Sequence, residues 1–173
     1  SEPVRFSVDA FYQWHFANAF TRGKELVVDY VRYPTFDSFY ELGDLSGGTP
    51  DALSGGRAHR ATIDLASLTM RSEQMLDRTC EFPTVAPGRE GTDHTTTYLV
   101  LDDLRTIGKL DAPTGALSTH VLPPTQRATE ALFVQRPGGN AEDDGWVLSL
   151  CHDGPSNRAF FAVYDARKIG NGP

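Results

Sequence analysis

Short apolar runs separated by turn-forming residues are the feature that most constrains the fold of this chain. The runs are rich in β-branched and aromatic residues, and Gly, Pro, Asp or Asn bounds them. No stretch keeps a helical period of apolar residues over three turns. The strand-like runs are 3–8, 11–20, 24–33, 61–65, 96–103, 131–136, 146–153 and 159–166. The pattern therefore predicts a mostly antiparallel, all-β structure.

Turn signals and chain length limit the architecture without deciding it. With 173 residues and 19.0 kDa, the chain suits one hydrophobic core rather than two. The segments TRGK (21–24) and DAPTG (111–115) predict tight turns between paired strands. Strands joined in this way build sandwiches, barrels or propeller blades, and no clear internal repeat selects among them. The Gly- and Ser-rich segment 43–57 is predicted to be a mobile surface loop, an insertion rather than a functional lid.

Composition and charge argue against several classes of function. The net charge is −7, and the Lys and Arg residues are scattered, so no basic stripe is available for nucleic acid. No Gly-rich phosphate loop precedes a helix, and no GxSxG nucleophile motif is present. No run approaches the ~18 apolar residues of a membrane-spanning helix. Cys80 and Cys151 match no CxxC spacing, which predicts a reduced, cytoplasmic protein and leaves a single disulfide open.

Polar residues within these runs are weak functional candidates when taken alone. His15 lies in the run 11–20 beside small residues, and the pattern favours a hydrogen-bonded structural histidine over a metal ligand. For Glu81 and Glu130 it favours exposed carboxylates at strand ends. The cluster 142–144 indicates a solvated hairpin turn rather than a calcium loop. The remaining histidines are predicted to face solvent rather than bind metal: His59, His94, His120 and His152.

Four segments in order strengthen these candidates. They are WHFANAF followed by KELVVDYVRY (14–33), CEFP (80–83), EALFVQRPGGNAEDDGWVLSL (130–150) and FFAVYDARKIGNGP (160–173). Together they resemble the C-terminal part of the carotenoid cleavage oxygenase family, which also includes stilbene-cleaving enzymes and a retinoid isomerase. The resemblance spans nearly the whole chain. Thr21, where relatives often carry an acidic residue, and HTTTY (94–98) depart from the family pattern and put the subfamily in doubt.

The resemblance implies a fold and a metal site. Family members are seven-bladed β-propellers whose Fe(II) lies on the axis, bound by four histidines, so residues 1–173 would be the C-terminal portion of one propeller domain. By that resemblance His15 is an iron ligand, and Glu81 and Glu130 are two of the three glutamates that orient ligand imidazoles. The third glutamate and two histidines are expected before Ser1, and the last histidine after Pro173. A carboxylate suits this task because it accepts the proton on the second ring nitrogen.

The function implied for the parent protein is oxidative cleavage of a C=C double bond. The substrates would be O2 and an apolar carotenoid, apocarotenoid or stilbene, and the products carbonyl compounds. Residues 1–173 alone, with one ligand of four, are expected to bind iron weakly and to be inactive. Peripheral membrane contact through segments outside the chain stays open. The alternative is a non-catalytic propeller fragment or binding module without a complete iron site.

Overall fold

The all-β prediction is confirmed, with antiparallel strands throughout. The structure, a computed structural model, describes residues 2–43 and 55–173. Within them, eleven strands form two sheets of seven and four strands. These divide into three consecutive four-stranded units of the kind that builds a propeller, called here the first, second and third blades.

The first blade is an antiparallel meander of four strands. It comprises β1 (Phe16–Arg22), β2 (Glu25–Arg32), β3 (Arg57–Asp64) and the first half of β4 (Thr69–Thr84). Arg22 pairs with Glu25, so the β1–β2 turn has two residues. Gly23 has φ +63°, a conformation that glycine adopts without the strain of a side chain. The predicted turn at 21–24 is therefore present.

The second blade begins on the strand that ends the first. The second half of β4 pairs with β5 (Thr96–Leu101), which is followed by β6 (Thr106–Asp111) and β7 (Leu117–Val121). Every residue of β5 is buried. Leu99 and Leu101 pack towards the first blade, and Tyr98 and Val100 pack towards the third. The second blade is thus covered on both faces.

The third blade has an interrupted edge strand. β8 (Gln126–Ala128) and β9 (Leu132–Gln135) pair with different parts of the same edge of β10 (Gly145–Asp153), and β11 (Arg158–Asp165) pairs with the other edge. Residues 129–131 separate the two short strands, and Glu130 lies in this break. A 3₁₀ turn at Ile169–Asn171 follows and buries Ile169 between the second and third blades.

Several sequence predictions of individual elements need correction. The run 3–8 is not a strand but an exposed, irregular segment that pairs with no strand among the described residues. In the run 11–20 the strand begins only at Phe16; before it, Tyr12 forms an isolated bridge with Tyr33. The polar strands β4, β6, β7 and β8 were not predicted.

The sequence also predicts a loop at 43–57 and no membrane-spanning helix. The predicted loop 43–57 lies largely outside the described residues, so its mobility stays a prediction. The structure contains one α-helix in its described part, α1 (Asp37–Gly43). No helix among those residues is long and apolar enough to cross a membrane.

Candidate metal site

His15 lies at the entrance to the first strand of the first blade. Its carbonyl oxygen accepts a hydrogen bond of 3.0 Å from the amide of Val31 in β2, which fixes the backbone just before β1 begins. Its side chain is 44% exposed, so the imidazole is anchored from one side and open on the other. This is a suitable position for a histidine that must present one ring nitrogen to a metal ion.

Glu81 holds the protected side of that imidazole. Its Oε2 lies 2.7 Å from Nδ1 of His15, across 66 residues of sequence. A carboxylate can only accept, so Nδ1 carries a proton, and in the neutral imidazole that a metal binds the lone pair is then on Nε2. Nε2 makes no hydrogen bond to any described residue. The tautomer is therefore the one that a metal ligand needs.

A local distortion of β4 directs Glu81 towards the first blade. The pairing of β4 with β5 slips between Glu81 and Thr84, as in a β-bulge. Phe82 has φ +53°, an unusual conformation for an aromatic residue, and its amide donates to Oε2 of Glu81 at 3.0 Å. The Phe82 ring lies 5.1 Å from the His15 ring. The distortion thus places both a carboxylate and an apolar ring against His15.

Tyr33 is a site residue that sequence reasoning missed. It lies directly after β2, is 6% exposed, and its hydroxyl donates to Oε1 of Glu81. Burial, together with the nearby Glu81 carboxylate, raises the pKa of Tyr33 far above its usual value. The sequence contains no direct signal for this contact, because it depends on how the first and second blades meet. Only the position of Tyr33 at the end of the segment KELVVDYVRY pointed to the region.

These residues suit one ligand position of a metal site. The imidazole is tied at Nδ1, free at Nε2 and open to one side, which is the arrangement typical of a metal-binding histidine with a carboxylate behind it. Across residues 2–43 and 55–173, no three His, Cys, Asp or Glu side chains gather in a way that could hold a metal ion. The remaining ligands of any such site would have to come from elsewhere.

Glu130 is not joined to His15 and Glu81 in the structure. It is exposed in the break between β8 and β9, and its carboxylate makes no hydrogen bond or ion pair with the described residues. Its neighbour Ala131 is nevertheless tied to β4, because Oγ1 of Thr84 donates to the Ala131 carbonyl oxygen at 2.6 Å. Glu130 therefore lies in the break of the edge strand of the third blade, next to a residue that is bonded to β4, but its carboxylate has no partner among the described residues. Its role stays a prediction.

The prediction of solvent-facing histidines is wrong for His94. It is 2% exposed, accepts a hydrogen bond at Nδ1 from Asn18, and places Nε2 3.2 Å from Oδ2 of Asp29. Burial alone would raise the pKa of Asp29, but hydrogen bonds from Arg60 and His94 hold it below its usual value. His94 is buried because Asn18, in β1, also binds the loop 89–92 of the second blade. His59 and His120 are half-buried, and His152 is exposed as predicted.

The acidic cluster 142–144 also differs from the solvated turn that its sequence indicates. Oε2 of Glu142 accepts the amides of Thr95 and Thr96 at 2.8 and 2.9 Å. Asp143 pairs with Lys109 at 3.2 Å, and Asp144 pairs with Arg136 at 3.2 Å. All three carboxylates are at least partly buried. The cluster therefore links the third blade to the second.

The two cysteines are buried free thiols. Cys80 is 4% exposed and Cys151 is fully buried. Burial raises the pKa of the Cys80 thiol to about 12. Because the thiolate is the form that binds metal or attacks electrophiles, Cys80 is an inert core residue although it adjoins Glu81.

Comparison with known proteins connects this geometry to one family. The sequence model of the RPE65 family, the retinal pigment epithelial membrane proteins, matches residues 1–173. The apocarotenoid-15,15'-oxygenase of Synechocystis is 33% identical over 175 residues, covering 97% of this chain and 36% of that protein. A carotenoid cleavage oxygenase of Mycobacterium tuberculosis is 31% identical over 164 residues, covering 86% of this chain and 32% of that protein.

A solved structure agrees with the sequence matches. Cobalt-substituted Synechocystis ACO superposes with a TM-score of 0.88 at 32% identity, covering 98% of this chain and 37% of that one. The likeness confirms that the three blades are part of a seven-bladed β-propeller. The chain spans about a third of the length of the relatives it matches.

Proposed function

The chain belongs to the RPE65 family of carotenoid cleavage oxygenases, and from this membership we propose that the whole protein is an Fe(II)-dependent dioxygenase. Its reaction would be cleavage of a C=C double bond in a carotenoid, an apocarotenoid or a stilbene. The double bond breaks and each of its carbons gains one oxygen atom of O2, which yields two carbonyl products. Relatives named as apocarotenoid and carotenoid oxygenases support the substrate class.

The hydrogen bond between His15 and Glu81 is the observation that carries the proposal for this chain. It connects two of the residues that the family resemblance selects, and it joins them across two blades at 2.7 Å. The contact occupies Nδ1 and leaves Nε2 without a hydrogen bond to the described residues, which is the arrangement of a metal-binding histidine with a carboxylate partner. His15 is therefore proposed as one of the iron ligands, through Nε2.

The remaining parts of the site are proposed to come from the rest of the same propeller domain. Residues 1–173 would supply three neighbouring blades, and other blades would supply the other histidines. Glu130 would orient one of those histidines as Glu81 orients His15. Its exposure is consistent with this role, because the imidazole that it would contact is not among the described residues.

The bound metal and the residues of this chain would have different tasks in the reaction. Iron(II) held by neutral imidazoles would keep coordination positions open for dioxygen or substrate. The chain's own task is to fix the orientation of the His15 imidazole through Glu81, with Nδ1 bonded to the carboxylate and Nε2 directed away from it. Phe82, 5.1 Å from the imidazole, gives this side of the site an apolar wall, which suits a polyene because its burial releases water from apolar surface.

The experiment uses the complete protein and a matched pair of histidine variants. His15→Ala should lose stoichiometric iron and all oxygen-dependent cleavage of a polyene or stilbene. His152→Ala, which removes an exposed imidazole that contacts Asn157 at 3.1 Å, should retain both. Residues 1–173 alone should bind iron weakly and show no turnover. Full iron content and activity in His15→Ala would refute the ligand assignment, and tight iron binding with turnover by residues 1–173 alone would favour a self-contained site.

A further inference from the structure

We propose that Tyr33 is a positioning residue of this site, whose hydroxyl fixes the Glu81 carboxylate so that it holds His15 in its metal-binding orientation. The proposal rests on the function proposed above and adds a residue outside the predicted ligands and glutamates. The Tyr33 hydroxyl bonds to Glu81 and not to His15, so its effect on His15 passes through the Glu81 carboxylate.

The Glu81 carboxylate is restrained by donors on both of its oxygens. Tyr33 donates to Oε1, while Nδ1 of His15 and the amide of Phe82 donate to Oε2 at 2.7 and 3.0 Å. The last torsion of a glutamate is broad and roughly two-fold, so its own rotamer preference does not fix the carboxylate plane. If both donors bonded to Oε2 alone, the plane of the Glu81 carboxylate could still rotate about that oxygen. The hydroxyl on Oε1 removes this freedom.

Tyr33 is itself rigid enough to act as a reference point. Its amide and carbonyl both bond to Tyr12, at 2.8 and 3.0 Å, which ties it to the segment that leads to His15. Its ring packs directly over Gly56, where an added Cβ would lie 2.6 Å from Cε2 of the ring. Glycine at this position therefore lets the ring approach the backbone closely. A side chain held at both ends can transmit a fixed orientation to its hydrogen-bond partner.

The tyrosine hydroxyl also remains a donor under all ordinary conditions. Burial and the neighbouring carboxylate both disfavour its ionised form and raise the pKa of Tyr33. The hydroxyl proton is thus retained throughout the neutral range, and the hydroxyl donates it to Oε1 of Glu81. The raised pKa of Tyr33 agrees with its hydrogen bond to Glu81, but the positioning role follows from that hydrogen bond alone.

The test measures Fe(II) affinity of the complete protein by competition with a chelator. Tyr33→Phe keeps the ring and removes the hydroxyl, and it should weaken iron binding about tenfold or more, as changes to groups behind metal ligands do. Tyr30→Phe is the matched control: it is 3% exposed, lies on β2, and loses a hydroxyl bonded to Ser72 at 2.9 Å. The control should bind iron as the unmodified protein does. Equal affinities of the two variants would overturn the proposal.

A double-variant cycle distinguishes positioning from general damage. In a Glu81→Ala background, Tyr33→Phe should cause no further loss of iron affinity, because the group through which it acts is gone. An undiminished tenfold loss in that background would contradict the mechanism. If His15→Ala still binds iron fully, the proposed function fails. If His15→Ala loses iron while Tyr33→Phe matches Tyr30→Phe, only the role of Tyr33 fails.

Discussion

The junction between the first and second blades is closed, whereas the outer face of the third blade is open. At the closed junction Leu99 and Leu101 are fully buried, and His15 meets Glu81 at 2.7 Å. On the open face Phe161 is 72% exposed, and Glu130 has no partner among the described residues. The contacts of the site residues follow the packing. The histidine and glutamate are joined where two described blades meet, and Glu130 lies in a blade whose outer face no described blade covers.

The two faces of the third blade differ in burial in the same way, although they belong to one sheet. Residues that face the second blade are buried, among them Phe133, Val147 and Tyr164. The residues that alternate with them along the same strands lie on the other face, where five exposed side chains form a continuous apolar surface: Leu132, Val134, Leu150, Phe161 and Val163. Single exposed apolar residues are ordinary, but a contiguous sheet face of them indicates a surface that is normally covered. We propose that another blade of the same domain covers it.

The largest effect that we expect is on the free energy of unfolding of the complete protein. It is measured for one residue of the closed junction, Leu99, and one of the outer face of the third blade, Phe161. Leu99→Ala should reduce the free energy of unfolding by about 2–5 kcal/mol, because it opens a cavity at the closed junction. Phe161→Ala should cost about 3–5 kcal/mol if another blade covers this face, but less than about 0.5 kcal/mol if the side chain stays in solvent. Denaturant unfolding measures both. A negligible cost for Phe161→Ala would show that the outer face is open in the whole protein too.

A smaller effect tests whether Glu130 gains a partner when the domain is complete. Glu130→Gln should weaken Fe(II) binding by roughly 10–100-fold, the usual cost of losing a carboxylate behind a metal ligand. Glu90→Gln is a suitable control, since Glu90 is exposed and accepts a hydrogen bond from the amide of Gly88 at 2.6 Å. Chelator competition gives both affinities. If Glu130→Gln and Glu90→Gln bind iron alike, Glu130 is an ordinary surface residue.

The smallest effect concerns the buried charges at the closed junction. Asp29 has a pKa below its usual value, so folding favours its charged form. It therefore stabilises the protein above the pKa of the unfolded chain, about 3.9, and this stability is lost as the pH falls through the lower folded value. Unfolding free energy measured between pH 6 and pH 2 should fall less steeply in Asp29→Asn than in the unmodified protein.

Asp93→Asn is the control for that measurement. Its side chain is 61% exposed and pairs with Arg22 at 3.1 Å across the same junction. Exposed ion pairs contribute little because water and salt screen them. The acid slope of Asp93→Asn should match that of the unmodified protein, and an equal change in both variants would show that burial of Asp29 is not the cause.

Sequence reasoning found the strands whose residues alternate or are apolar, because side-chain pattern alone marks them. It missed β4, since its residues 69–79 are polar and its pairing changes from β3 to β5 along its length. It selected His15 and Glu81 from family motifs, and the structure places them in contact. It missed Tyr33 and the burial of His94, because both depend on contacts between blades that no local pattern records.

We propose that His15, oriented by Glu81, is a ligand of the iron in the complete protein. The most direct measurement is an anomalous difference map at the iron absorption edge from crystals of that protein prepared with Fe(II). We expect a peak beside Nε2 of His15 while Nδ1 still faces Glu81, and loss of that peak in His15→Ala. An iron peak that leaves His15 uncoordinated, or one that survives His15→Ala unchanged, would contradict it.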